Sequence, residues 1–229
     1  MNLINRMLDR IGYKVIYKGA SAGSDRFVLV NESGKVDEER YKKVQVDGNK
    51  RKLDRVWVSE ENIRFLSDYI RKELKRSPAY GLCHGTRRGV EQAEFRANLG
   101  CEVMGTEISD TADQFPYTIK WDFHHVKPEW VKTVDFIYSN SLDHSHSPRE
   151  CLEAWVSCLS EDGMLFVEKA SDSDSEMVSE LDPFAADLDQ FVFHLVMWGR
   201  GKYYVHDVLT PPKINPDFKY QHIFVVKRR

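Results

Sequence analysis

The sequence is poor in the features that would place it outside ordinary folded proteins. No apolar run approaches the roughly 18 residues that a membrane span needs, and the opening MNLINRMLDRIGY has no continuous apolar stretch of the secretory kind. The expectation is therefore a cytoplasmic protein. The four cysteines, Cys83, Cys101, Cys151 and Cys158, show no Cys-x-x-Cys spacing, so neither a zinc knuckle nor a dithiol redox pair is signalled. Low-complexity tracts and internal repeats are also lacking, apart from the short acidic run Ser171 to Glu176. With 41% hydrophobic and 30% charged residues over 229 positions, the chain has the means to build a core of one sizeable domain.

Net charge is small, at −3, but it is unevenly spread. Residues 1–76 carry 18 basic and 12 acidic side chains, a balance of +6, whereas residues 77–229 carry 15 and 24, a balance of −9. The basic density peaks between Lys35 and Arg55, around the turn-like stretch Val44 to Asn49. A solvated hairpin with lysines guarding its edge explains that density, and a grip on an anionic or phosphate-bearing substrate is the functional alternative.

Periodicity divides the chain at about residue 77. Before it, Asn2 to Ile11 has helical spacing, Lys14 to Tyr17 and Arg26 to Asn31 read as strands, and Ser59 can cap a helix whose Ile63, Leu66, Ile70 and Leu74 share one face until Pro78. That helix reads as a lid over, or a hinge into, the larger C-terminal part. Beyond it, strands and helices alternate: strands at Tyr80 to Cys83, Glu102 to Thr106, Thr118 to Trp121, Val134 to Ser139 and Met164 to Glu168, with helices at Gly89 to Leu99 and Pro148 to Leu159. A helix from Leu188 to Val196 then precedes two consecutive strands, Lys202 to Leu209 and His222 to Lys227. The alternation argues for an α/β fold with a mostly parallel sheet covered on both faces, and the last two strands for an antiparallel C-terminal hairpin completing its edge. Residues 1–76 then form a small α+β extension, or cap, on a domain spanning 77–229.

In an open parallel sheet, ligands bind beyond the carboxyl ends of the strands at the switch point. The first strand here runs into a turn with Gly85 and Gly89, which allow close backbone approach. The second strand ends at Glu107, 22 residues past Gly85, near the spacing of about 20 at which a carboxylate accepts hydrogen bonds from ribose hydroxyls. The third ends at Trp121-Asp122-Phe123, where Asp122 offers an acceptor for an exocyclic amine and Phe123 a flat apolar face.

These three strand ends resemble those of the class I S-adenosylmethionine-dependent methyltransferases, over about residues 79–229. The resemblance implies a Rossmann-like sheet of seven strands and S-adenosyl-L-methionine as cofactor. It matches Cys83, His84, Gly85, Thr86 and Gly89 to the turn around the methionine part, Glu107 with Ile108 to the ribose, and Asp122 with Phe123 to the adenine. Ser139, Asn140 and Ser141 open the loop after the fourth strand, SNSLDHSHSP, beside the transferred methyl group. The family's Asp-x-Gly-x-Gly-x-Gly pattern is not kept: Gly81 stands at the acid, and Cys83 and Arg87 stand at glycines.

Methyl transfer to a hydroxyl requires in-line positioning and a base. His144 and His146 are the first candidates, with Asp143 as orienting partner or alternate base. Capping and packing of the loop would account for the same residues. A metal held by Asp143, His144, His146, His124, His125 and Glu168 is a weaker alternative, and no metal site is assigned. The function expected is O-methylation of a small-molecule acceptor, sugar-containing or anionic, since the loop lacks the Asn-Pro-Pro-Tyr and Asp-Pro-Pro-Tyr tetrapeptides of amino-methylating nucleic-acid enzymes. A nicotinamide-dependent oxidoreductase would need three glycines in the turn. The other alternative is a non-catalytic module that holds the cofactor or binds RNA; RNA binding would call for aromatics interleaved with the basic run, which only Tyr41 and Trp57 flank.

Overall fold

Apolar runs with no alternation mark strands covered on both faces, and the central strands behave accordingly. The computed structural model describes residues 25–172 and 178–229. Strands β1 (Tyr80–His84), β2 (Glu102–Glu107), β3 (Thr118–Lys120), β4 (Val134–Ser139), β5 (Leu159–Asp172), β6 (Tyr203–Leu209) and β7 (Phe218–Arg228) form one sheet in the order β3-β2-β1-β4-β5-β7-β6. Its neighbours pair in parallel except along β7, which is antiparallel to both β5 and β6. The C-terminal hairpin thus completes the sheet edge as expected, with β7 as the antiparallel strand next to β5 and β6 as the border. Composition explains the order, because Ile223, Phe224, Val225 and Val226 of β7 are all buried, whereas β6 carries His206 and Asp207 at exposed positions.

Alternate side chains of each strand feed two cores. On one face Leu82, Ile137 and Val167 meet Leu152 and Trp155 of α4 (Pro148–Cys158) and Phe191 and Leu195 of α5 (Leu188–Trp198). The other face packs Phe136, Tyr138 and Phe166 against α2 (Glu60–Leu74) and Phe95 of α3 (Val90–Leu99). Ile63, Leu66, Ile70 and Leu74 of α2 are all buried there; each such side chain is worth about 2 kcal/mol. This helix is therefore part of the core, not the lid or hinge that its position in the sequence implied. Gly81 also belongs to this packing, since a Cβ at that position would collide with the Phe136 ring.

The basic stretch between Lys35 and Arg55 is helical, which corrects the hairpin expected there. Helix α1 (Glu38–Arg51) starts at Asp37, whose carboxylate accepts from the Arg40 amide at 3.1 Å, has Glu38 and Glu39 in its first turn, and has Lys50 and Arg51 in its last. Its buried face, Tyr41, Gln45, Gly48 and Asn49, is nearly free of aliphatic side chains, so no apolar stripe announces the helix. Polar bonds seat it instead: Gln45 Nε2 donates to the Leu181 carbonyl at 3.0 Å, Thr111 Oγ1 donates to Asn49 Oδ1 at 2.8 Å, and Lys50 pairs with Asp110 at 2.8 Å. Residues Arg26 to Asn31 make only isolated bridges, Arg26 with Phe184 and Val30 with Val36, in place of the strand expected. The expected helix at Asn2 to Ile11 and strand at Lys14 to Tyr17 lie outside the described residues.

One buried acid joins the start of the sheet. Asp135 on β4 accepts from Arg76 Nη2 at 2.6 Å, from the Ala79 amide at 2.6 Å and from Ser160 Oγ at 3.2 Å. Burial alone would raise this carboxyl, but the guanidinium and the amides outweigh it and hold it below the usual carboxylate range. Asp135→Ala is expected to cost about 3 kcal/mol in urea unfolding, because amide and guanidinium lose a buried partner. A depressed carboxyl stabilises the fold above its unfolded value and loses that contribution as pH falls, so parent and variant stabilities should converge below about pH 4.

Candidate functional site

The sheet order reverses between β1 and β4, and the chain leaves both strands there through short polar turns. At the end of β1, Gly85 has φ +74°, a value that L side chains rarely adopt, and a Cβ on it would stand 2.6 Å from that of Ser141. Ser141 Oγ donates to the Gly85 carbonyl at 3.2 Å, and Ser139 Oγ donates to the His84 carbonyl at 3.1 Å, so the loop after β4 is fastened to the turn after β1.

Two adjoining cavities open above this junction. The smaller, about 60 Å³, is lined by Gly85, Glu107, Ile108, Asp122 and Phe123, and is roofed by Tyr41, Gln45 and Asn49 of α1. The larger, about 260 Å³, extends over Thr86, Glu91, Asn140, Asp143 and Glu168 towards Trp57 and Phe218, whose rings stack 6.2 Å apart at its rim. Arg87, Ser141, His144 and Lys52 border both. Helix α1 thus supplies part of the wall of the smaller cavity.

Glu107 is buried, and its two carboxylate oxygens accept separately from the amides of Arg87 and Ser109, each at 3.0 Å. Burial raises this carboxyl, against the pull of the two amides. Asp122 sits in the opposite balance. Burial opposes its charge, but the His124 Nδ1 and backbone amide both bond Oδ1, at 2.7 and 3.1 Å, and bring it down to about 2. It is therefore an ionised acceptor at neutral pH. Phe123 is held from behind, its carbonyl accepting from Trp155 Nε1 at 2.9 Å.

No protein-family model matches the chain, and no curated protein matches it either. Solved structures do. The 1,6-didemethyltoxoflavin-N1-methyltransferase of Burkholderia thailandensis, solved with 1,6-didemethyltoxoflavin and S-adenosylhomocysteine, superposes at a TM-score of 0.62 with 15% identity, over 92% of this chain and 98% of that one. The plantazolicin methyltransferase BpumL, solved with a triazolic desmethylPZN analogue and S-adenosylhomocysteine, gives 0.61 with 16% identity, over 84% and 97%. The chain has the class I methyltransferase fold. The same fold also carries a cyclase, SpnF, at a TM-score of 0.53 with 12% identity, over 72% of this chain and 80% of that one, so the chemistry has to be read from the site.

On this methyltransferase fold the sequence-derived residues fall into two groups. Gly85, Thr86, Glu107, Ile108, Asp122, Phe123, Asn140, Ser141, Asp143 and His144 line the two cavities. Cys83, His84, Gly89, Ser139 and His146 do not border them. Cys83 is buried in the core beside Phe95 and Phe136. His84 stacks on Trp155 at 4.9 Å with Nδ1 2.9 Å from Thr106 Oγ1, and burial takes it down to about 3. It is a neutral packing residue at physiological pH. Gly89 caps α3. His146 lies under Tyr41 and stacks 4.1 Å from His124, with burial lowering it to about 4.

Of the metal ligands considered, Asp143 and His144 come within 4.8 Å of each other and of Asp182, a residue that no sequence motif marks. His124 is instead the centre of a relay from Asp122 to Ser145, its Nε2 lying 2.8 Å from Ser145 Oγ. Ser145 is fully buried and also accepts from the Ser147 amide at 3.2 Å, so this Asp-His-Ser chain fixes Asp122 and the loop and presents no nucleophile. The Asp-x-His spacing was the available signal for it.

Proposed function

We propose that the chain is an S-adenosylmethionine-dependent methyltransferase acting on a small-molecule acceptor. The observation that carries this reading is the meeting of Glu107, Asp122 and Phe123 around one pocket that adjoins, across the Gly85 turn, a second cavity large enough for an acceptor. The residues fit such a cofactor: each Glu107 oxygen has a lone pair left for a ribose hydroxyl beyond its amide bond, and the Thr86 hydroxyl is buried without a partner in the turn where the methionine part would lie. Bound there, the cofactor supplies an electrophilic methyl group on a sulfonium. The neighbours solved with S-adenosylhomocysteine support this reading.

The acceptor belongs in the larger cavity. Lys52 and Arg55 at its border come from the basic stretch of the N-terminal part, while Trp57, Phe184 and Phe218 give it flat apolar surface. This lining suits an anionic acceptor with an apolar body, and within the N-terminal part it gives α1 and the segment from Lys52 to Trp57 the role of a cap on the domain at 77–229. Oxygen is the acceptor atom we favour. His144 is the base: its Nδ1 donates to the Leu181 carbonyl at 2.6 Å, which can only accept, so the neutral ring presents Nε2 as a proton acceptor. Asp143 beside it is the orienting or alternate base.

The reading is tested by titrating the purified chain with S-adenosylhomocysteine and with NAD, then by transfer of labelled methyl from S-adenosylmethionine to a panel of anionic phenols and sugars. Binding of the first ligand alone, followed by transfer, is expected. Preferential binding of NAD overturns it. His144→Asn keeps a donor for the Leu181 carbonyl but loses the base, so kcat should fall on the order of 100-fold with KM for the donor little changed.

A further inference from the structure

The turn after β1 leaves two polar side chains without a side-chain partner among the described residues. Thr86 is 3% exposed, and its Oγ1 is buried without a hydrogen bond. Glu91, in the first turn of α3, is 7% exposed and accepts from its own backbone amide, with no side-chain donor among the described residues. Both border the larger cavity.

Its other acids are already occupied or lie open to water. Glu168 accepts from Tyr138 Oη at 2.8 Å and from Gln221 Nε2 at 2.7 Å, one bond on each oxygen. Asp143 is exposed, and its Oδ1 takes the His144 amide. Asp182 is half-buried and accepts from Ser179 Oγ at 3.3 Å. Glu91, whose carboxylate takes its own backbone amide and no side-chain donor among the described residues, is left as the buried acid with acceptor capacity to spare, in a place where an unpaired charge is costly. Burial accordingly raises it to about 8. The groups facing it are Arg87 in the turn, Cys83 on β1, Glu107 on β2, Tyr138 on β4 and Glu168 on β5. Cys83 and Tyr138 are pushed well up by burial and stay neutral, and the Arg87 guanidinium donates to the Arg55 carbonyl at 3.2 Å.

We propose that Glu91, which lines the same cavity as Thr86, is the counter-ion for the α-ammonium group of the methyl donor, an assignment that rests on the methyltransferase reading above. The bookkeeping is a proton exchange with no bond made to carbon: the ligand ammonium keeps its protons, the Glu91 carboxyl gives its own to solvent, and an ion pair replaces a buried neutral acid. Donor binding near neutral pH is therefore coupled to proton release.

The test is calorimetry at pH 7 in phosphate and in Tris, whose ionisation enthalpies differ, with S-adenosylhomocysteine and with 5′-methylthioadenosine, which has no amino-acid part. For the parent, S-adenosylhomocysteine should release about one proton and methylthioadenosine none. Glu91→Gln should abolish the release and weaken S-adenosylhomocysteine at least about 10-fold, the loss of a charged hydrogen bond. It should bind methylthioadenosine as the parent does, which also shows that the variant is folded. Proton-neutral binding by the parent, an unchanged affinity for S-adenosylhomocysteine in the variant, or an equal loss for both ligands overturns the assignment alone. A parent that binds neither ligand overturns the methyltransferase reading and this assignment with it.

Discussion

Glu107→Ala should weaken S-adenosylhomocysteine binding by about 100-fold, the worth of two hydrogen bonds to a charged acceptor. The size of the effect reflects the two tasks Glu107 performs at once. Its oxygens hold the amides of Arg87 and Ser109, so the acid shapes the turn after β1 and the chain after β2 before any ligand arrives. Alanine leaves both amides without that partner and removes the acceptor for the ribose diol. Glu107→Gln separates the two roles, since the amide side chain keeps one acceptor oxygen but sets an N–H₂ against the second backbone N–H. It should retain most of the thermal stability and still lose at least about 10-fold in affinity. Calorimetric titration and thermal melting of both variants check this; equal affinity in the parent and Glu107→Ala would remove the carboxylate from the site.

Gly85→Ala is the second large effect, and it reaches binding through the backbone. The φ of +74° costs a side chain roughly 1–2 kcal/mol, and the added Cβ collides with Ser141, which forces apart the β1 and β4 ends at a further cost of about 1–3 kcal/mol. The melting temperature should fall by about 5 °C or more, and S-adenosylhomocysteine binding should be lost at accessible concentrations. Gly201 supplies the control. Its φ is +78° but nothing lies within 4 Å of a Cβ there, so Gly201→Ala bears the conformational cost alone and should bind the ligand as the parent does. A comparable loss of binding in both variants would mean that general destabilisation, and not the β1–β4 junction, governs the site.

The parts of this protein that were legible in the sequence are those where placement follows chain order. The alternation of strands and helices from Tyr80 onwards announced the seven-stranded sheet because each strand is a short apolar run bounded by turn residues. The ends of the strands could then be counted off, and Glu107, the last residue of β2, and Asp122 and Phe123, just past β3, fall around one pocket for that reason. The residues that escaped are placed by packing. Helix α1 has no apolar stripe, and its Asp47-Gly48-Asn49 run resembles a turn; the polar bonds of Gln45, Asn49 and Lys50 to distant partners decide its form. His144 and His146 look alike in the loop, yet Tyr41 covers one and leaves the other at the cavities. Glu91 reads as a favourable first-turn acid of a helix, and only its burial against the turn gives it chemical interest.

The position of a bound nucleoside decides the central claim, and diffraction from crystals grown with S-adenosylhomocysteine measures it directly. Ribose hydroxyls at Glu107, with the base edge at Asp122 beneath α1, are the predicted result. A nucleoside lodged elsewhere, or crystals that take up no ligand at saturating concentration, would contradict it.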